Sequence, residues 1–266
     1  MADLRKAVAL VTGGWRGIGR AIVDRLRADG ARVCFTYLEE IEPLDQITAL
    51  CEADPLLSAC PLDLRDTVSI RACLARVAAE HGGIDILVNN AAVGSATVAG
   101  FSADPSEQDA LMLQINAVGT LAICRGFLTL PATGRPRKII NLSSVGGGVA
   151  VFPGFSLSDG MSKAAVAHLT RQIAAEQVQT NVDVFAVCPG ATNTAMFQQS
   201  TLNHLTLSER AKFLSGLPKG RLIEPDEIAN IVAFLAGPHS TVMHGAVIDA
   251  SMGLGVRPGL MSETRH

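Results

Sequence analysis

The sequence predicts a doubly wound α/β fold, in which helices cover both faces of one seven-stranded parallel sheet. Short apolar, β-branched runs alternate along the chain with longer stretches of helical periodicity. Most of these runs are apolar at successive positions, which is typical of strands buried on both faces. Alternation repeated this often predicts right-handed βαβ units in one sheet. No repeat or break in composition divides residues 1–266, so we expect a single domain.

The predicted elements follow in regular order. Strands are expected at 7–11, 32–36, 58–61, 84–88, 138–142, 182–187 and 246–248. Helices are expected at 17–28, 44–53, 67–81, 106–128, 162–179 and 225–236. Residues 192–220 follow a strand's carboxyl end, where open α/β sheets bind ligands, so we interpret them as a mobile substrate lid, with a plain surface excursion as the alternative. The Gly- and Pro-containing tail, 253–266, is expected to be frayed or docked on a neighbouring subunit.

Composition excludes several classes of protein. The 266 residues are 48% apolar and 18% charged, with a formal net charge of -3. This balance gives no basic surface for nucleic acid or an anionic membrane, and no apolar run approaches the ~18 residues of a membrane span. None of the six cysteines forms a C-x-x-C pair or a cluster with metal-ligand spacing. We therefore expect a cytoplasmic protein with buried thiols and no metal.

A glycine-rich segment follows the first strand directly. It reads T-G-G-W-R-G-I-G over 12–19 and runs into a helix. Glycines let the backbone approach a diphosphate closely, and the helix start offers free N–H groups and the positive end of its dipole. The strand–loop–helix context therefore predicts a dinucleotide-phosphate site. The expected contacts are Gly13, Trp15, Arg16, Gly17, Ile18 and Gly19.

Further motifs stand after later strands. They are D-L at 63–64, N-N-A-A at 89–92, an asparagine at 116, I-N-L-S-S at 140–144, S-K-A-A at 162–165 and P-G-A-T-N-T at 189–194. Together with the glycine loop they resemble the short-chain dehydrogenase/reductase family over nearly the whole chain. The resemblance implies a Rossmann fold with strand order 3-2-1-4-5-6-7. It also implies cofactor contacts from Asp63, Leu64, Asn90, Ala91, Ala92 (a glycine in the family), Pro189, Gly190, Thr192 and Thr194.

The resemblance also implies catalytic roles. Ser144 would hydrogen-bond the substrate carbonyl, and Lys163 would bind the nicotinamide ribose. Asn116 would order a water beside this lysine. Family members are usually dimers or tetramers that pair through two long helices, here 106–128 and 162–179, so we expect a homodimer or homotetramer.

The choice of cofactor depends on two positions. Tyr37 stands where an acidic residue at the end of the second strand would hold the ribose hydroxyls of NAD. Arg16 could bind a 2′-phosphate through a charge-assisted hydrogen bond. Both favour NADPH. Glu39 and Glu40 follow closely and keep NADH open, and Arg16 could instead be a solvated loop charge.

The family's catalytic tyrosine is missing. It would stand four residues before the lysine, one helical turn away, but that position holds Asp159, and the chain's one tyrosine is Tyr37. Asp159 would form an ion pair with Lys163, or it would be a desolvated acid that protonates substrate directly or through a water. Peroxisomal 2,4-dienoyl-CoA reductases are similar in having an aspartate near this position.

Two functions follow. The first is an NADP-dependent oxidoreductase that transfers a hydride to a C=O, C=N or conjugated C=C bond of a small apolar substrate, with Asp159 in place of tyrosine. The second is a catalytically silent NADPH-binding sensor or scaffold. A serine hydrolase is excluded, because the chain lacks a G-x-S-x-G elbow.

Overall fold

The computed structural model describes residues 4–258. Its strands are β1 (Val8–Val11), β2 (Arg32–Tyr37), β3 (Leu57–Pro61), β4 (Ile86–Asn89), β5 (Arg137–Leu142), β6 (Val182–Pro189) and β7 (Val247–Ala250). They form one sheet in the order β3-β2-β1-β4-β5-β6-β7, and every pairing is parallel. The predicted single-domain, doubly wound fold and its strand order are confirmed.

Helices cover both faces of the sheet. They are α1 (Gly17–Ala28), α2 (Leu44–Ala53), α3 (Thr67–His81), α4 (Ser95–Ala99), α5 (Pro105–Leu113), α6 (Thr120–Thr129), α7 (Val145–Gly148, a single turn), α8 (Leu157–Gln177), α9 (Ala195–Ser200), α10 (Leu207–Gly216) and α11 (Pro225–Ala236). On one face of the sheet α1 packs against α11, with Leu26 and Val232 fully buried. On the other face α3, α6 and α8 cover the sheet, with Val77 and Phe127 fully buried.

The helices on the two faces leave the central strands inaccessible to water. Every residue of β1, β4 and β5 is buried. Burial on both faces agrees with the apolar sequence of β1 and of the first three residues of β4. In β5 it also encloses three polar residues, Arg137, Lys138 and Asn141. The carboxyl ends of the strands meet at one edge, and the loops that follow them carry the motifs singled out above.

The helix that carries Lys163 begins earlier than predicted. We expected it from residue 162, but α8 begins at Leu157, and the Ser156 hydroxyl accepts a hydrogen bond from the backbone N–H of Asp159 (3.4 Å). Polar residues and Gly160 hide this first turn from a search for apolar periodicity. As a consequence, Asp159 and Lys163 stand on one regular helix, a turn apart.

The predicted helix 106–128 is interrupted. The observed stretch Pro105–Thr129 consists of α5, a π-helical turn at Gln114–Gly119, and α6. Its length and apolar content (mean hydropathy 1.5) would by themselves suffice to cross a membrane, but the core helix of a soluble domain has the same properties. Here Ile123 and Phe127 pack into the core that covers the sheet.

Residues 192–220 fold as α9 and α10, with 3-10 turns at Leu202–His204 and Pro218–Gly220. The two ends of this segment are tied together, because Asn193 N–H donates to Ile223 O (2.8 Å) and Ile223 N–H donates to Ala191 O (2.9 Å). In the tail, Leu254 is buried and Val256 is exposed, whereas 259–266 lie outside the described residues.

Candidate active site

The glycine loop is fixed from two sides. The Thr12 hydroxyl accepts hydrogen bonds from the backbone N–H groups of Asn90 (3.0 Å) and Ala91 (2.9 Å). The Asn90 amide in turn donates to Thr12 O and Gly13 O, both at 3.0 Å. From β2, the Thr36 hydroxyl accepts from Gly13 N–H (3.1 Å). Asn90 and Ala91 therefore hold the loop in shape.

The glycine loop leaves a concave surface that has no room for side chains at its glycine positions. A Cβ on Gly14 would lie 2.5 Å from Phe35 Cβ, and one on Gly19 would overlap Gly13 O. Gly13 and Gly17 have φ of 62° and 57°, in the left-handed region that glycine tolerates. The residue before α1, Arg16, does not cap the helix with its side chain, so within the described residues this cap leaves the first N–H groups of α1 available to a ligand. This arrangement fits the diphosphate of a dinucleotide.

The adenosine end of the cleft is acidic. A cavity of about 320 Å³ is lined by Leu38, Glu39, Glu40, Pro61, Leu62, Asp63 and Ser69. Asp63 pairs with Arg65 (2.6 Å), and this hydrogen-bonded guanidinium lowers the pKa of the Asp63 carboxyl. Arg65 also reaches Glu40 (3.5 Å) and lies 5.7 Å from the centre of the Phe101 ring. Tyr37, at the end of β2, is buried.

Two residues predicted to contact the cofactor, Leu64 and Arg16, contact other parts of the protein in the structure. Leu64 is buried against α6's preceding turn, where a Cβ on Gly119 would lie 2.8 Å from Leu64 Cβ. Arg16 forms an ion pair with Glu42 (3.2 Å). Sequence reasoning missed Arg65 and Glu42. The contacts Arg16–Glu42 and Arg65–Glu40 each join two different loops, and no local pattern signals such a pair.

Asn116 links three elements at the centre of the fold. Its side-chain oxygen accepts from Val93 N–H (2.8 Å), and its amide donates to Val93 O (3.0 Å) and to the Ser162 hydroxyl (3.3 Å). Ser162 donates to Asp159 O (2.8 Å). The asparagine lies in the π-helical turn, a distortion that is frequent at functional sites. It thereby holds the loop after β4 against the first turn of α8.

Asp159 and Lys163 influence each other without touching. Burial raises the pKa of Asp159 above its ordinary 3.8, while Lys163 acts to lower it. Burial also lowers the pKa of Lys163, while Asp159 acts to raise it. Between residues 4 and 258 no carboxylate oxygen lies within 4.0 Å of Lys163 Nζ, so the ion pair, one of the two arrangements considered for Asp159, is not formed. Instead Lys163 Nζ donates to Leu142 O (3.4 Å).

The two serines after β5 divide their tasks. Ser143 is buried, and its hydroxyl donates to Lys163 O (2.8 Å), which fixes α8 against the strand. Ser144 is half-buried and accepts from Gly146 N–H (3.2 Å), so its hydroxyl proton is free to be donated. Of the two hydroxyls, that of Ser143 is used to fix α8 and that of Ser144, the serine that the resemblance assigns to the substrate, is not.

The segment after β6 closes the cleft. Pro189 ends the strand, and a Cβ on Gly190 would lie 3.0 Å from Ser251 Cα. Thr192 is buried and donates to Gly190 O (3.0 Å). Thr194 caps α9 by accepting from Phe197 N–H (3.2 Å). A Cβ on Gly17 would lie 3.5 Å from the Thr194 methyl group, so this segment reaches the glycine loop across the cleft.

Residues 4–258 contain no group of three or more His, Cys, Asp or Glu side chains that could hold a metal ion. All six cysteines are free. Five are buried, as expected, and Cys51 is half-buried.

Comparison with known proteins agrees with this geometry. A sequence-family model described as enoyl-(acyl carrier protein) reductase matches residues 13–255. The chain belongs to the short-chain dehydrogenase/reductase family. The family consists of NAD(P)-dependent oxidoreductases, and the shared region spans the glycine loop, the serine strand and α8.

Several relatives align over nearly their full length. Oxidoreductase UcpA of Escherichia coli is 32% identical over 259 residues, covering 94% of this chain and 95% of its own. The 3-oxoacyl-(acyl-carrier-protein) reductase FabG of Vibrio cholerae is 31% identical, covering 95% and 98%. Among solved structures, an actinorhodin polyketide ketoreductase variant with NADPH is 30% identical, with a TM-score of 0.81 over 96% of this chain and 99% of that one.

Proposed function

We propose that this family member is an NADPH-dependent reductase that uses Asp159 where the family uses a tyrosine. Its reaction would add a hydride to a C=O, C=N or conjugated C=C bond of a small apolar substrate. The observation that carries the proposal is the placement of Asp159 one turn before Lys163, on a helix fixed by Asn116, Ser143 and Ser162.

NADPH, when bound, supplies the hydride. The glycine loop and the free N–H groups at the start of α1 would hold its diphosphate, and Lys163 would hold the nicotinamide ribose. Arg16 would bind the 2′-phosphate, as an arginine does in NADP-binding relatives of this fold. The solved relatives with NADPH and with NADP support this preference.

Asp159 would hold the proton that reduction consumes. Burial raises its pKa, so a larger fraction of the carboxyl carries a proton than in water. An aspartate side chain is shorter than a tyrosine side chain, and its carboxyl oxygens lie about one hydrogen-bond length nearer the helix than a phenol oxygen would. One water would therefore bridge Asp159 and the substrate. Ser144 would hydrogen-bond the substrate heteroatom and orient the bond that is reduced.

The surface beside this site supports an apolar substrate. The loop after Ser144 and the start of α8 expose five large apolar side chains, which are Val149, Val151, Phe155, Leu157 and Met161. Across the cleft, α9 contributes Met196, and residues 192–220 would act as the substrate lid. Lysine and arginine side chains are absent from 145–162, so the loop offers no charge for an anionic substrate.

We further propose that the protein is a cytoplasmic homo-oligomer that associates with neither nucleic acid nor membranes. The outward face of the stretch Pro105–Thr129 supports self-association, because Val118 is exposed there between the small residues Ala117 and Gly119.

A steady-state screen tests the proposal. The protein is given NADPH with an apolar ketone, a cyclic imine or an enoyl thioester, and NADPH oxidation is followed for the wild type, Asp159→Asn and Glu176→Gln. We expect one class to react, Asp159→Asn to be at least about 100-fold slower, and the exposed Glu176→Gln control on the same helix to be unchanged. An Asp159→Asn variant as fast as the wild type would contradict the proposal. Tight NADPH binding without oxidation by any class would instead favour the silent binding protein.

A further inference from the structure

Arg16, the cationic residue of the glycine loop, forms an ion pair with Glu42. Arg16 immediately precedes α1, and its guanidinium lies 3.2 Å from Glu42 in the turn between β2 and α2. The Arg16 side chain is 65% exposed, whereas the Glu42 side chain is only 12% exposed. The acid is therefore the fixed member of the pair, and the arginine is the member free to move.

In folds of this type, the region of this pair is the one that distinguishes NADH from NADPH. Groups at the end of the second strand and in the glycine loop meet the adenosine ribose, which carries a hydroxyl in NADH and a phosphate in NADPH. Two hydrogen bonds hold the loop against β2, from Gly13 N–H to the Thr36 hydroxyl (3.1 Å) and from Gly14 N–H to Thr36 O (3.0 Å). The glycine loop, with Arg16, and the turn after β2, with Glu42, are therefore neighbours, and the two side chains meet at 3.2 Å.

We propose that Glu42 is a specificity-determining residue, which lowers the preference for NADPH by competing with the 2′-phosphate for Arg16. This inference rests on the proposed function, because it concerns the same cofactor. If Arg16 turns to the phosphate, the mostly buried Glu42 carboxylate loses its partner, which costs free energy. If Arg16 keeps both contacts, the carboxylate and the phosphate repel each other across one guanidinium. Either arrangement penalises NADPH and leaves NADH untouched.

The neighbouring charges do not relieve this competition. Arg65 is already engaged by two residues that line the cavity, Asp63 (2.6 Å) and Glu40 (3.5 Å). Glu39 lines the same cavity and is exposed. The phosphate would thus enter an acidic rim in which Arg16 is shared with Glu42.

Binding of the oxidised cofactors tests the inference without any substrate. Trp15, the single tryptophan of the chain, stands next to Arg16 with its ring stacked 6.5 Å from that of Phe35, so its fluorescence reports occupancy of the loop. Dissociation constants for NADP⁺ and NAD⁺ are measured by Trp15 fluorescence for the wild type, Glu42→Gln, Arg16→Gln and the double variant. Glu52→Gln, an exposed acid on α2, is the control for the loss of one negative charge.

We expect Glu42→Gln to bind NADP⁺ about five-fold more tightly, with NAD⁺ changed less than about two-fold. In the Arg16→Gln background the same substitution should tighten NADP⁺ binding less than it does with Arg16 present, because the competition needs the arginine and only the repulsion between carboxylate and phosphate remains. Glu52→Gln should match the wild type. Equal tightening of both cofactors, an unchanged ratio, or weaker NADP⁺ binding by Glu42→Gln would each overturn the inference. Binding of neither cofactor by the wild type would contradict the proposed function as well, and so distinguishes the two failures.

Discussion

Asp159 and Lys163 lie one turn apart on α8, and burial moves the pKa values of their side chains toward each other. The carboxyl pKa is raised and the ammonium pKa is lowered, although each charge acts to oppose the other's shift. Desolvation therefore outweighs their mutual attraction, which agrees with the lack of a contact within 4.0 Å between their charged atoms in residues 4–258. Such a pair can release and regain a proton more easily than a closed ion pair.

The first prediction concerns stability. Because the folded pKa of Asp159 is above its ordinary 3.8, the folded protein keeps a proton that the unfolded chain has already lost. Stability attributable to this group therefore falls as pH rises from that value through the raised pKa. Asp159→Asn removes the cost, so urea denaturation at neutral pH should give a higher free energy of unfolding than the wild type. The difference in unfolding free energy between Asp159→Asn and the wild type should shrink as the pH falls. Equal unfolding free energies at neutral pH would contradict the claim that burial of the Asp159 charge costs stability.

The second prediction concerns Lys163→Met, which retains the length of the side chain and removes its charge. We expect NADPH to bind about ten-fold or more weakly, since a charged hydrogen bond to the ribose is lost. The pKa of Asp159 should rise further, because Lys163 acts to lower it. Trp15 fluorescence gives the first quantity and a pH titration of activity the second. Unchanged NADPH affinity would remove the lysine from the cofactor site.

The third prediction compares two glycines of positive φ. Gly147 (φ 90°) packs against Gly160 O, which a Cβ would overlap, whereas Gly134 (φ 79°) has open space around its Cβ position. Gly134→Ala should cost about 1 kcal/mol of unfolding free energy from backbone strain alone. Gly147→Ala should cost about 2–3 kcal/mol more and reduce activity, because it pushes on the turn that carries Asp159. Equal losses in urea denaturation would show that this close approach is unimportant.

The fourth prediction concerns the oligomer. Val118 is 47% exposed on the stretch Pro105–Thr129, where the proposed subunit contact would bury it. Val118→Glu should therefore convert the oligomer to smaller species in sedimentation velocity. The control is Val68→Glu on α3, an exposed valine outside that face, which should leave the sedimentation unchanged. A wild type that sediments as a monomer would contradict the proposed assembly.

Helix ends were predictable where the local sequence contains a capping residue or a proline at the first helical position. The α3 helix runs over Thr67–His81 as predicted, because Asp66 caps its first N–H groups and Gly82 takes the left-handed conformation at its end. Likewise Pro225 stands at the first position of α11. Strand order followed from the family resemblance, and the structure confirms it.

Features that depend on distant contacts were not predictable. The π-helical turn around Asn116 follows from side-chain contacts with Val93 and Ser162, and a helical pattern in sequence does not distinguish it from a continuous α-helix. The Arg16–Glu42 pair joins two loops across the cofactor cleft. Sequence placed Asp159 one turn from Lys163 correctly, but it left open whether the two form an ion pair or Asp159 is a desolvated acid. In the described residues the ion pair is absent and burial raises the Asp159 pKa.

The most direct test of the central claim is the pH dependence of a single turnover. Protein preloaded with NADPH is mixed in a stopped-flow instrument with the reactive substrate class, and NADPH oxidation is followed over a pH series for wild type and Asp159→Asn. If Asp159 supplies the proton, the wild-type rate falls as pH rises through its raised pKa. The Asp159→Asn rate should then lack that dependence and be at least about 100-fold lower. An Asp159→Asn variant that keeps both the wild-type rate and its pH dependence would contradict the account.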